Sequence, residues 1–204
     1  MLACVVVGRG ASELMACRLY KGVRIGTFLH GQNLMQTGIP ARNARSSVTV
    51  GSIEHHIARG TTTSPLISLT KSFGVARDYA LKGSLSKPSA TNPAYVYEID
   101  VPDPLPSAIK IVDPVAEIVA AQKLSVLTNS SYHHDGDQSF LHFVVNPLLR
   151  AHMSPMAPRP GGGSSSPVVM TMPLEAMVFA LRDAEVLVVG NLPPSMIIHR
   201  HDVY

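Results

Sequence analysis

The chain has 204 residues, 46% of them hydrophobic and 15% charged, and its 17 Lys and Arg against 14 Asp and Glu leave a formal charge of +3. That balance excludes a disordered acidic tail, a supercharged nucleic-acid scaffold and a disulfide-stapled miniature, and it suits one globular domain over residues 1–204. The two cysteines, Cys4 and Cys17, have no C-x-x-C spacing, so a cysteine-based zinc site is excluded as well.

From the start, the apolar run at 2–7 breaks at Gly8-Arg9-Gly10. It is too short to span a membrane and no basic region precedes it, so neither a transmembrane segment nor a Sec-type signal peptide is read here. The stretch Arg18-Leu19-Tyr20-Lys21-Gly22-Val23-Arg24 sets an aromatic ring and several cations at a strand end. Residues 55–72 read as a hydroxyl-rich strand that runs into a helix over 71–81. In that helix Phe73, Ala76, Ala80 and Leu81 share a face, and Thr70 or Ser72 supplies the N-cap. A breaker-rich stretch at 82–93 leads to a strand at 94–102, which is half-buried, with Tyr95, Tyr97, Ile99 and Val101 inward and Glu98 and Asp100 outward.

Asp113-Pro114 has the order of a cap followed by a first-turn proline, and the helix it opens carries Ile118 and Val119 on its apolar face. His133-His134-Asp135-Gly136-Asp137 reads as a polar turn and not as a metal site, since adjacent histidines on extended chain point apart. A strand is expected at 139–147, then a flexible Pro/Gly/Ser loop at 154–167, then a strand at 185–190 buried on both faces. Helices and strands without βαβ regularity make the fold class α+β.

The chain contains no phosphate-binding P-loop, no dinucleotide fingerprint, no nucleophile elbow and no H-E-x-x-H zinc motif. Three separated pieces carry what chemistry there is. They are Tyr20-Lys21 at the first strand; His56-Ile57-Ala58-Arg59-Gly60-Thr61 ahead of Ser68-Leu69-Thr70; and Asp183-Ala184-Glu185-Val186 followed by Gly190-Asn191-Leu192-Pro193-Pro194. Taken singly, each has a plain structural reading. A glutamate that begins a strand is more often a solvated end, strand hydroxyls commonly bind local backbone, and a tyrosine at helical spacing is more often core.

In that order the three pieces resemble the ADP-ribosyltransferases of the Arg-Ser-Glu class, the cholera-toxin-like branch. That family carries an aromatic-Arg pair, a Ser-Thr-Ser strand entering a helix, and a Glu-x-Glu or Gln-x-Glu element. Here Lys21 stands where the family has arginine, with Arg18 and Arg24 nearby as alternatives. The triplet is Ser68-Leu69-Thr70, and Asp183 is one methylene shorter than glutamate.

The resemblance implies a split β-sandwich with peripheral helices and a nicotinamide cleft between its sheets, with the 154–167 loop at the rim. It implies NAD as substrate and no metal. Glu185 would oppose positive charge at the ribose, Asp183 would orient the acceptor or take its proton, and Ser68 would hold Glu185 or the ribose. Thr70 would brace the strand, and Lys21 or Arg24, beside Tyr20 and Gly22, would hold the pyrophosphate. Tyr79 would stack on nicotinamide, and His56 would meet the adenosine side. Glu117 is the rival carboxylate.

The activity implied is mono-ADP-ribosyl transfer to a protein side chain with release of nicotinamide. The family's acceptors include host GTPases, actin and ubiquitin; membrane and nucleic acid are not among the partners expected of this chain. A secreted or injected effector acting in the host cytosol fits that company. NAD hydrolysis and a catalytically silent binding module are the alternatives.

Overall fold

A computed structural model describes residues 17–60, 63–82, 86–122 and 172–204. Their strands form one antiparallel sheet in the order β4-β5-β2-β1-β3-β6. Central β1 (Cys17–Val23) pairs with β3 (Ala94–Val101) from Cys17↔Val101 to Val23↔Tyr95, and β6 (Ile197–Val203) lies outside β3 with a register shift between Glu98 and Ile99. On the other side β2 (Leu66–Thr70) pairs with β5 (Glu185–Val189) from Leu66↔Val189 to Thr70↔Glu185, and β4 (Lys110–Val112) lies outside β5.

The two halves, β4-β5-β2 and β1-β3-β6, meet in the single pair Tyr20↔Thr70. Beyond that pair β1 and β2 part. Strand alternation sends Leu19, Tyr97 and Ile99 of one half and Leu69, Val186 and Val188 of the other into one apolar cluster, which Leu34, Ile39 and Leu192 close. One of the closing segments is the single helical turn α1 (Leu34–Thr37).

Helices cover the opposite faces. Over β4-β5-β2 lie α2 (Val50–Arg59), α4 (Pro114–Gln122) and α5 (Met172–Arg182), whose Ile53, Ile118, Met177 and Ala180 pack on Leu66, Val112 and Leu187. Over the other half lies α3 (Phe73–Leu81), with Ala76 and Ala80 against Ala94, Val96 and Val203. Small residues let α3 come close, and Gly22 completes the fit, since a Cβ there would collide with the Ala76 carbonyl oxygen. Each covering helix with a described cap starts on a side-chain oxygen. Thr49 and Ser52 form a reciprocal capping box for α2, Ser72 accepts from Val75 N for α3, and Asp113 Oδ1 accepts from Val115 N and Ala116 N for α4.

The expected α3, α4 and β5 are present at the residues read from the sequence. Ser72, not Thr70, caps α3, because the Thr70 hydroxyl is committed elsewhere. The strand expected over 55–72 is corrected. His55 to Arg59 belong to α2, where Ile53, His56 and Ile57 turn inward at helical spacing, and the strand is confined to Leu66–Thr70. β3 is also more enclosed than a half-buried strand, because α3 covers Ala94 and Val96 on its second face. α5, β4 and β6 have no counterpart in the sequence reading. No described helix is long and apolar enough to cross a membrane. The apolar run at 2–7, the turn at 133–137, the strand at 139–147 and the loop at 154–167 lie outside the described residues.

Candidate active site

Where β1 and β2 part beyond Tyr20↔Thr70, a cleft of about 510 Å3 opens, lined by residues of β1, β2, α2, α3, α5 and β5. That size is within the ordinary range for ligand sites. Period-two alternation places Ser68 and Thr70 on one face of β2, and the Thr70↔Glu185 pairing sets Glu185 beside them. The turn from α5 into β5 runs through Ala184, at φ 45° in the left-handed region that usually takes glycine at a helix end. The Ala184 carbonyl is fixed by Lys71 N at 3.1 Å, so the turn that presents Asp183 and Glu185 is tied to the start of α3.

Glu185 is 8% exposed. Burial pushes its carboxyl up to about 7; the hydrogen bond from Ser68 opposes that rise, the Asp183 charge adds to it, and Lys21 opposes it. Lys21 donates from Nζ to the Ser68 carbonyl oxygen at 2.9 Å. Desolvation brings this amine down to about 8, with Glu185 resisting and Arg42 reinforcing the fall. The His56 ring lies 2.7 Å from the Ser68 hydroxyl through Nε2. Burial, then Lys21 and His55, hold its pKa near 4, so the imidazole is neutral at neutral pH. Its Nδ1 is buried without a hydrogen-bond partner among the described residues. Neutral His56 thus fixes the hydroxyl that faces Glu185.

Asp183 sits in a tight cation and phenol clamp. Arg182 grips it with a fork, Nε to Oδ1 at 2.7 Å and Nη2 to Oδ2 at 2.7 Å, and the Tyr79 hydroxyl donates to Oδ2 at 2.5 Å. Arg182 Nη2 also donates to the Tyr79 oxygen at 3.1 Å. Burial and then the Asp183 hydrogen bond push the phenol up to about 12. The backbone of Asp183 is held too, its carbonyl accepting from Thr70 Oγ1 at 2.6 Å while that oxygen accepts from Ser72 N at 3.0 Å.

The cleft therefore gathers Tyr20, Lys21, Gly22, Arg24, His56, Ser68, Thr70, Tyr79, Asp183 and Glu185, the residues singled out from the sequence. Arg18 is not among its lining residues. It lies outside the cleft, paired with Glu98 and with Asp100 at 3.3 Å. Arg24 is exposed near the mouth, 3.5 Å from the Lys82 carbonyl oxygen. Gly22 serves packing, as the seat for α3. Glu117, on α4, is not in the lining. Of the charged lining residues, Arg42 and Arg182 have no place in the sequence reading. Arg182 is legible as the neighbour of Asp183 in sequence, whereas nothing in the local pattern around Arg42 singles it out. Among the described residues no group of three His, Cys, Asp or Glu side chains is arranged to hold a metal ion.

No family model and no curated protein matches this chain. Among solved structures it is similar to EcPltA, at 12% identity and a TM-score of 0.42, over 91% of this chain and 74% of that one. At that distance no residue role passes from one chain to the other.

Proposed function

We propose that this protein is an NAD-dependent mono-ADP-ribosyltransferase that moves ADP-ribose to a protein side chain and releases nicotinamide. The observation that carries the reading is the convergence of Glu185, Ser68 and Lys21 at the cleft where β1 and β2 part. Those three positions belong to widely separated motifs of the sequence, and the ordered resemblance supplies the reaction class.

In this reaction the C1′–N bond of the nicotinamide ribose breaks and its electron pair neutralises the pyridinium nitrogen. The acceptor atom forms the new bond to C1′, and the acceptor's proton passes to water at the open mouth. The transition state carries oxocarbenium character, so a fixed carboxylate beside C1′ stabilises it more than the ground state. Ionised Glu185 is that carboxylate. Ser68, oriented by His56, keeps its hydroxyl on Glu185, while Lys21 and Arg42, both lining the cleft, would supply donors for charge-assisted bonds to the pyrophosphate.

One observation favours a second reading, NAD hydrolysis: the Asp183 carboxylate, which an acceptor would be expected to meet, is already engaged. Labelled NAD incubated with wild type or Glu185→Ala, with and without a eukaryotic lysate, separates the two. Nicotinamide release together with label on protein, both lost in the variant, upholds the transferase. Release without label upholds hydrolysis, and no release combined with no NAD binding leaves a silent binding module.

A further inference from the structure

Asp183 is the second carboxylate of the cleft, two residues before Glu185, and most of its lone-pair positions are taken. A carboxylate presents about four acceptor positions, and a guanidinium fork fills two of them. Here Arg182 makes that fork, both contacts at 2.7 Å, and Tyr79 takes a third position at 2.5 Å. The side chain of Asp183 is only 12% exposed, so a ligand has little room to approach around the clamp. The Tyr79 hydroxyl donates its hydrogen bond to Asp183 and accepts one from Arg182, and with its pKa near 12 it stays protonated at neutral pH.

An incoming guanidinium would need the place that Arg182 occupies. Arg182 is the next residue in the chain, so it competes at the high effective concentration of a tethered group and with the same planar donor geometry. The remaining charge in the cleft points the same way. Lys21 faces Glu185 and Arg182 faces Asp183, whereas Arg42 and Arg24 line the cleft with no carboxylate ion pair among the described residues.

Resting on the transferase reading, we infer that the site takes an acceptor without positive charge, and that Asp183 is a positioning residue whose partner is Arg182 and not the acceptor. The acceptor side chain is then a neutral or anionic nucleophile, and arginine is refused because the cleft carries its own guanidinium in the arginine position. The Arg182–Asp183–Tyr79 clamp is a device of specificity.

Agmatine, a small guanidinium, is the probe. Isothermal titration of wild type is expected to give no binding at millimolar agmatine. Arg182→Gln, which empties the fork, is expected to bind it at least tenfold more tightly. Arg182→Lys, which retains a charge but offers only a point contact, is expected to fall between. If Arg182→Gln does not fold, as circular dichroism would show, Arg182→Lys against wild type carries the same comparison. Equal agmatine affinity in wild type and the folded variants overturns the inference.

The titration needs no turnover, so it stands even where nicotinamide release fails and the transferase reading falls. Conversely, an ADP-ribosyl-agmatine adduct made by wild type and lost in Glu185→Gln upholds the transferase while sinking this inference.

Discussion

Replacing Glu185 by Gln should abolish activity and stabilise the protein, and the stabilisation should depend on pH. The folded state raises this carboxyl from 4.5 to about 7, chiefly because the group is buried. Between those values the folded protein holds a proton at Glu185 that the unfolded chain has lost. Stability therefore falls as pH rises from about 4.5 to about 7, and the cost is complete above that window. Taking 1.36 kcal/mol for each pH unit of displacement, the raised pKa costs about 3 kcal/mol near pH 8 and about 1 kcal/mol near pH 5.

Glutamine mimics the protonated acid and avoids that cost. For a chain of this length about 2–4 °C accompanies each kcal/mol. The variant should then melt about 6–12 °C above wild type near pH 8, and only about 2–4 °C above it near pH 5. Differential scanning calorimetry at the two pH values reads the gap, and nicotinamide release reads activity, expected to drop about 100-fold or more. A gap that is the same at both pH values, or a variant that melts below wild type near pH 8, would refute the account of Glu185 as a carboxyl strained by burial.

The kcat/KM for NAD should follow a bell, rising through about 7 as Glu185 ionises and falling above about 8 as Lys21 loses its proton. Lys21→Arg should remove the alkaline limb, because a guanidinium remains charged there; a flat wild-type profile from about pH 6 to 9 contradicts the assignment. Gly22→Ala should lower the urea midpoint by the equivalent of about 1–3 kcal/mol, since the Ala76 carbonyl must move and α3 with it; an unchanged midpoint would show that α3 does not rest there. Asp113→Ala should cost about 1 kcal/mol by leaving Val115 N and Ala116 N without their cap, again read by urea unfolding. Asp113→Asn, which keeps an acceptor oxygen, should recover most of that loss.

Much of the local structure was legible because the signals were local. Ser72 before Phe73, Asp113 before Pro114, and the alternation of Tyr95, Tyr97 and Ile99 each specify an element within a few residues of themselves. α2 is hard to read from sequence because His55 to Arg59 run on toward the strand that follows, while its own capping box, Thr49 with Ser52, lies several residues ahead of them. β6 gives little strand signal because Ile198 to Asp202 is largely exposed and polar, a pattern that an edge strand tolerates.

The sequence by itself determined which residue types are available for chemistry and the order in which they come: a lysine beside an aromatic on the first strand, alternate hydroxyls on a second, two carboxylates two residues apart before a third. It could not determine who meets whom. The separation of β1 from β2 after a single shared pair makes the cleft, and that separation is a property of two sheet halves wrapping one core. Residues far apart in the chain, Tyr79 and Asp183 or Lys21 and Ser68, come into contact only through that wrapping. The assignments of His56 to the Ser68 hydroxyl and of Arg182 to the Asp183 carboxylate were likewise decided in tertiary structure, because hydrogen bonds and desolvation act over a few ångströms of space and are indifferent to distance along the chain.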